Sequence, residues 1–221
     1  MQRVSVEPIK PRNPVQQRYY NLLADSCTPI VIGHGPAGTG KTLLAAQVGA
    51  NRLKSKMVRK MIITRPVVTA NENLGYLPGS LEDKMDPFIR PIMDALERTF
   101  NPSELQKMLQ ERTIEICPIA YARGRTFDDC FIIADEMQNS TPNQMKLLLT
   151  RIGENTKMII TGDPSQKDIS GESGLDDLLL RLKAFSTLSP NMCMIRAVEF
   201  STSHVERSAV VRDVLRLYGD V

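Results

Sequence analysis

Eight consecutive residues, Gly35-Pro-Ala-Gly-Thr-Gly-Lys-Thr42, constrain this chain more than any other stretch of it. They match GxxxxGK[ST], with the apolar run Ile30–Gly33 leading in and a helical pattern leading out from Lys41. Gly35, Gly38 and Gly40 let the backbone curl until several N–H groups face one anion. The helix that starts near Lys41 adds its free N–H groups and its dipole. Gly35, Pro36, Ala37, Gly38, Thr39, Gly40, Lys41 and Thr42 are therefore the candidate triphosphate cradle. Lys41 is suited to the β and γ phosphates, and the Thr42 hydroxyl to a magnesium ion. A chance glycine-rich turn would need neither the lysine nor these flanks.

A second motif, Phe131-Ile-Ile-Ala-Asp-Glu136, is an apolar strand ending in two acids. In an open α/β sheet it delivers Asp135 to the carboxyl edge, where ligands bind. Asp135 is placed to hold magnesium through water, and Glu136 to orient or deprotonate an attacking water. An acid at that position marks hydrolases with an extra central strand, and small-molecule kinases usually lack it. A third strand, Met158-Ile-Ile-Thr161, runs into Gly162-Asp-Pro-Ser-Gln166. Thr161, Asp163 and Gln166 are expected near the γ-phosphate. The neutral amide of Gln166 can sense that phosphate without the burial of another charge.

The rest of the sequence agrees with such a fold. At 221 residues, with 42% hydrophobic and 24% charged, the chain can bury the core of one domain. Residues 1–14, with three prolines, read as an extended arm ahead of one domain over 15–221. Further apolar runs at Met61–Thr64, Thr113–Cys117 and Ile195–Phe200 lack alternation, as strands covered on both faces do. Helical periods cover Val15–Ala24, Lys41–Lys54, Asp86–Thr99, Ser103–Gln110, Pro142–Arg151, Leu175–Lys183 and Val205–Leu217. Ser103 with Gln106 reads as a capping box. The alternation predicts an α/β fold, a mostly parallel sheet with helices on both faces, and an insertion or helix pair over Arg65–Arg112.

A formal net charge of +3 neither argues for nucleic acid nor excludes it. No apolar run approaches the roughly 20 residues of a membrane span, and the first residues lack a signal peptide's apolar core. The cysteines Cys27, Cys117, Cys130 and Cys193 fit no zinc or CxxC spacing and read as reduced, mostly buried thiols of a cytoplasmic protein. His34 and His204 are too few for a metal cluster.

Taken with Thr64-Arg-Pro-Val-Val68, Leu74-Gly-Tyr-Leu-Pro-Gly79, Lys84–Leu96, Ile119-Ala-Tyr-Ala-Arg-Gly-Arg-Thr126, Asp135-Glu-Met-Gln-Asn139 and Gln144-Met-Lys146, these blocks resemble the PhoH family over about Asn13 to Tyr218. PhoH proteins are P-loop ATPases related to superfamily 1 helicases. The resemblance implies a RecA-like fold, ATP and Mg2+ as cofactors, ATP hydrolysis, and action on RNA. It puts Gln16, or its neighbour Gln17, where helicase-like relatives read the adenine edge, and Arg207 where an arginine opens the last helix.

Helicases of this superfamily place ATP between two RecA-like domains, and this chain has room for one. A homo-oligomeric ring, expected as a hexamer, would complete the site at each subunit boundary. Arg207, Arg123 and Arg125 are the candidates for the contact in trans; Arg123 and Arg125 equally suit an RNA phosphate, or form a solvated, salt-bridged loop. Arg65 follows a strand end that touches nucleic acid in helicase relatives. The run Arg52, Lys54, Lys56, Arg59 and Lys60 reads as a solvated helix end. Tyr19 and Tyr20 either stack on adenine or pack on the core. Two functions remain: an ATPase that works on RNA or another single-stranded nucleic acid, or an ATP-gated, ring-forming interaction module.

Overall fold

The computed structural model describes residues 10–66, 81–188 and 194–204, together with Val210 and Leu217, and gives the backbone alone for 81–88. Of the expected arm, residues 10–13 form neither helix nor strand, and Pro14 already opens the first helix. The helix expected over Val205–Leu217 lies outside the described residues apart from Val210 and Leu217, and so do Arg207, Cys193 and the segment 67–80.

Six strands form one sheet: β1 (Ile30–His34), β2 (Lys60–Thr64), β3 (Ile114–Ile116), β4 (Cys130–Ala134), β5 (Lys157–Gly162) and β6 (Ile195–Glu199). Their order is β3-β2-β4-β5-β1-β6, and every pair is parallel. Six helices with described bounds accompany the sheet: α1 (Pro14–Ala24), α2 (Lys41–Lys54), α3 (Leu81–Leu96), α4 (Pro102–Gln110), α5 (Pro142–Leu149) and α6 (Gly174–Leu188). The insertion between β2 and β3 carries the helix pair α3 and α4.

The strands read as unbroken apolar runs because both faces are covered. Val31, Met61, Ile63, Phe131, Ile133 and Ile159 pack under α1 to α4. Their neighbours Ile32, Ile62, Ile132, Met158 and Ile160 pack against α5 and α6. Each such fully buried side chain contributes about 1.5–3 kcal/mol. Helix α2 lies close against the sheet: a Cβ on Gly49 would stand 2.6 Å from the Phe131 ring and 2.7 Å from the Met61 methyl.

The capping box of α4 differs from the expected one. Asn101 Oδ1 accepts from Glu104 N at 2.8 Å, and Glu104 Oε2 accepts from Asn101 N at 2.9 Å. Pro102 takes the first helical position, where a missing N–H costs nothing, so the helix starts earlier than a cap at Ser103 allows. The Ser103 hydroxyl instead donates to Asn101 Oδ1 at 2.6 Å. Helix α6 also outruns its expected end at Lys183, reaching Leu188.

Candidate nucleotide-binding site

The turn from β1 into α2 has the curled backbone that its sequence requires. Gly35, Gly38 and Gly40 have φ of 125°, 77° and 83°. At Gly35 space is as limiting as conformation, because a Cβ would lie 2.1 Å from the Phe200 carbonyl oxygen. Gly35 N donates to Gly162 O at 3.1 Å, which ties the turn to the tip of β5. The Lys41 amine donates to Gly35 O at 2.6 Å, Pro36 O at 2.7 Å and Thr39 Oγ1 at 3.2 Å. Burial holds its pKa below the usual lysine value, opposed by the carboxylates of Asp163, Glu136 and Asp135. Asp135 and Glu136 follow β4 and Asp163 follows β5, the two strand ends expected to meet the loop after β1.

Asp135 is 7% exposed. Its Oδ1 accepts from Thr42 Oγ1 at 2.9 Å and from the Thr161 hydroxyl. Its backbone N–H donates to Thr64 O at 3.0 Å, which fixes the carboxylate at the edge of β2 and β4. Glu136 follows with φ of 53°, an uncommon backbone conformation for a non-glycine residue. The chain turns there into a short 3-10 helix, Met137–Asn139. Asp163 is 6% exposed, and its Oδ2 is buried with no hydrogen-bond partner. Gln166 is exposed at the same rim.

A cleft of about 750 Å³ opens over these groups; Gln16, Lys41, Thr42, Asp135, Glu136 and Gln166 are among the residues that line it. Gln16 N–H donates to the Thr39 carbonyl at 3.0 Å through Nε2, and Gln16 Oε1 accepts from Arg12 N at 2.7 Å. Gln16 reaches the cleft, whereas Gln17 donates to Asn21 Oδ1 on the exposed side of α1. Helix α3 contributes Pro91, followed by Arg98, and the arm contributes Lys10 and Arg12. The sequence assigned these four no role, since nothing in their spacing ties the insertion or the arm to the turn after β1.

The residues fit a nucleoside triphosphate with magnesium. The turn offers backbone N–H groups and a buried cation, and the orphaned buried carboxylate oxygen of Asp163 faces the same amine's field. Thr42 and Asp135 are the one hydroxyl and one carboxylate that would hold the ion. Among the described residues no three His, Cys, Asp or Glu side chains gather as a metal cage.

Arg125 is bound within its own subunit: its guanidinium meets Glu115 at 2.6 and 3.1 Å and lies 4.7 Å from the Phe127 ring centroid. This ion pair claims the fork that a phosphate would need. Arg123 stays exposed, and Arg207 lies outside the described residues. Arg52 is not part of a solvated run. It is 8% exposed and donates to Ala24 O at 2.7 Å, because the helical period turns it toward the α1–β1 connection. Tyr19 is fully buried, edge-on to Phe200 with centroids 5.4 Å apart, so it packs on the core. Cys117 and Cys130 are buried, with Cys130 pushed up to about 11 by burial, while Cys27 is exposed.

Strand order separates the remaining fold alternatives. β5 lies between β1, which carries the phosphate loop, and β4, which carries Asp135 and Glu136. This is the extra central strand that the second acid foretold. The PhoH-like protein family matches residues 8–219. The chain belongs to the PhoH family. It is 40% identical over 216 residues to Protein PhoH of Escherichia coli, covering 96% of this chain and 58% of that protein. It is 44% identical over 204 residues to the PhoH-like protein of Bacillus subtilis, covering 91% and 61%. The chain thus spans about three fifths of the length of these relatives. Among solved structures, the Sulfolobus solfataricus SWI2/SNF2 ATPase core in complex with dsDNA aligns with TM-score 0.50 at 12% identity, covering 89% of this chain and 45% of that one. That likeness concerns the fold. This PhoH-family chain has the RecA-like α/β fold of P-loop proteins. Among the described residues, no helix is long and apolar enough to cross a membrane.

Proposed function

We propose that this PhoH-family domain is a magnesium-dependent ATPase that acts on or with RNA and works as a ring, with the nucleotide at each subunit boundary. The observation that carries the ATPase reading is the meeting of Thr42, Asp135 and Thr161 on one carboxylate oxygen beside the Lys41 amine. Bound magnesium would neutralise phosphate charge during cleavage. The chain's own residues do the rest. Backbone N–H groups of the loop orient the phosphates. Lys41 exchanges carbonyl partners for phosphate oxygens. Glu136 orients a water and takes its proton, and Gln166 reports on the γ-phosphate from the rim.

The ring rests on Arg125 being spent on Glu115, which leaves Arg207 and Arg123 as the arginines for a neighbouring site. A hexamer is the proposed closure. Action on RNA follows from the family resemblance. A second reading, an ATP-gated assembly without motor activity, gains from the exposed apolar Leu180, Leu188 and Met194, at 68%, 82% and 66%.

One experiment tests both. ATP turnover is measured with and without single-stranded RNA or DNA, together with the mass of the assembly. Turnover that depends on magnesium, rises with RNA and falls at least 100-fold in Glu136→Gln, with nucleotide binding retained, supports the first reading. Assembly that needs ATP but ignores nucleic acid supports the second. A monomer at micromolar concentration with ATP and magnesium present overturns the ring.

A further inference from the structure

Between Glu136 and Gln166 stands a residue that the site description has not used. Gln138 is 1% exposed, in the 3-10 turn after β4. Its Nε2 donates to Glu136 Oε2 and, at 3.2 Å, to the backbone carbonyl of Gln166. Its Oε1 accepts from Asp163 N at 3.1 Å. Both N–H groups and the carbonyl of this carboxamide are thus committed to three different parts of the site. The approach is close: a Cβ on Gly162 would stand 2.7 Å from Gln138 Oε1. The next residue doubles the tie. Asn139 Nδ2 donates to Asp168 Oδ2 at 3.0 Å, and Asp168 N donates to Asn139 Oδ1 at 2.8 Å.

We propose that Gln138 is a positioning residue that holds the Glu136 carboxylate in place and makes the turn carrying it move as one piece with the loop carrying Gln166. The inference rests on the ATPase reading. Filling space between a turn and a loop would need only an apolar side chain of this size. A buried carboxamide must find partners, and each one found here belongs to the water-activating acid or to the γ-phosphate loop. An N–H donor on Glu136 Oε2 restricts that carboxylate's rotation and leaves Oε1 free. The second N–H, on the Gln166 carbonyl, sets the height of the loop relative to that carboxylate. A shift of the loop when a γ-phosphate arrives or leaves would therefore be felt at Glu136 through one rigid amide.

The test uses the whole chain with Gln138→Met, which keeps the volume, and Gln138→Glu, which keeps the acceptor for Asp163 N–H and replaces both donors with charge. Affinity for ATP should stay within about threefold of wild type, while kcat falls at least about tenfold in both variants. Gln166→Ala should add little to the loss already present in Gln138→Met, because the two act along one connection. Three results overturn the proposal: kcat within twofold of wild type, equal loss of binding and turnover, or fully multiplicative losses in the Gln138→Met/Gln166→Ala double variant. Wild-type protein that binds ATP but never turns it over would instead overturn the ATPase reading itself.

Discussion

The hydroxyl of Thr42 donates to Asp135 Oδ1 at 2.9 Å across 93 positions of the chain. The loop after β1 and the tip of β4 thereby share a ligand pair although β5 separates their strands. Thr161, at the end of β5, donates to the same oxygen and closes the gap. Asp135→Asn keeps an acceptor for both hydroxyls and removes the charge. Stability should therefore change by no more than about 1 kcal/mol. Magnesium-dependent turnover should fall at least about 100-fold, with nucleotide binding in EDTA unchanged. A magnesium titration of turnover, run beside urea denaturation, checks both halves.

Lys41 braces its own loop before it meets any phosphate, through the carbonyls of Gly35 and Pro36. Lys41→Ala should lower ATP affinity at least about 100-fold and also cost about 1–3 kcal/mol of stability in the absence of nucleotide, because buried carbonyls lose a charged donor. Fluorescent-nucleotide titration and chemical denaturation measure the two effects separately. Loss of binding with no change in stability would show that the brace contributes nothing.

The parts of this site that were legible in the sequence are those where backbone geometry leaves one solution. A glycine-rich turn between a buried strand and a helix, and apolar runs that end in acids, announce themselves because a parallel sheet puts all such ends on one edge. What stayed hidden depends on side chains meeting across the fold. Gln138 stood in plain view beside Glu136, yet its importance lies in Asp163 N and Gln166 O, which only the order β4-β5 brings near. Arg125 read either as a phosphate ligand or as a salt-bridged loop residue, because its partner, Glu115, lies on β3, on the far side of β2 from β4. The capping box of α4 was displaced because Pro102 fits the first helical position better than Ser103 does.

Arg125 consequently has a structural assignment that can be tested. Its bond to Glu115 raises the guanidinium pKa, and its side chain is about one-third exposed. Screening at that exposure limits the pair to about 1 kcal/mol, with a comparable contribution from the contact with Phe127. Arg125→Ala should destabilise the chain by about 1–2 kcal/mol and leave turnover per folded molecule unchanged. Loss of turnover with full stability would return Arg125 to the nucleotide or the RNA.

Gly49 offers a test of helix-to-sheet packing that propensity alone would get backwards. Alanine is about 1 kcal/mol better than glycine inside a helix. Here the added methyl would meet Phe131 at 2.6 Å and Met61 at 2.7 Å. Overpacking of this kind costs about 1–3 kcal/mol, so Gly49→Ala should be net destabilising. A far-ultraviolet circular dichroism melt decides the sign.

Lys157 gives stability a pH dependence that can be isolated. It is 3% exposed, and its amine donates to Asp25 O at 2.7 Å and to Thr28 O, fastening β5 to the turn that precedes β1. Burial, with the nearby Arg52 guanidinium, brings its pKa from 10.5 to about 8, against a partial pull upward from Asp25. Between those two values the unfolded chain holds a proton that the folded chain has released. The unfolded state binds more protons there, so this residue's contribution makes stability rise as pH increases from about 8 to about 10.5. Cys130, pushed up from 9.0 to about 11, acts with the opposite sign above pH 9. The cysteine is common to wild type and Lys157→Met, and cancels in their difference. The variant should be less stable at every pH, because two buried carbonyls lose their donor. The gap between the two proteins should be smallest near pH 7.5 and should widen toward about pH 10 as the native amine becomes neutral and keeps its bonds without the cost of a buried charge. Urea denaturation of both proteins across that range measures the gap directly. A gap that stays constant would place the Lys157 amine in contact with water rather than under the α1–β1 turn.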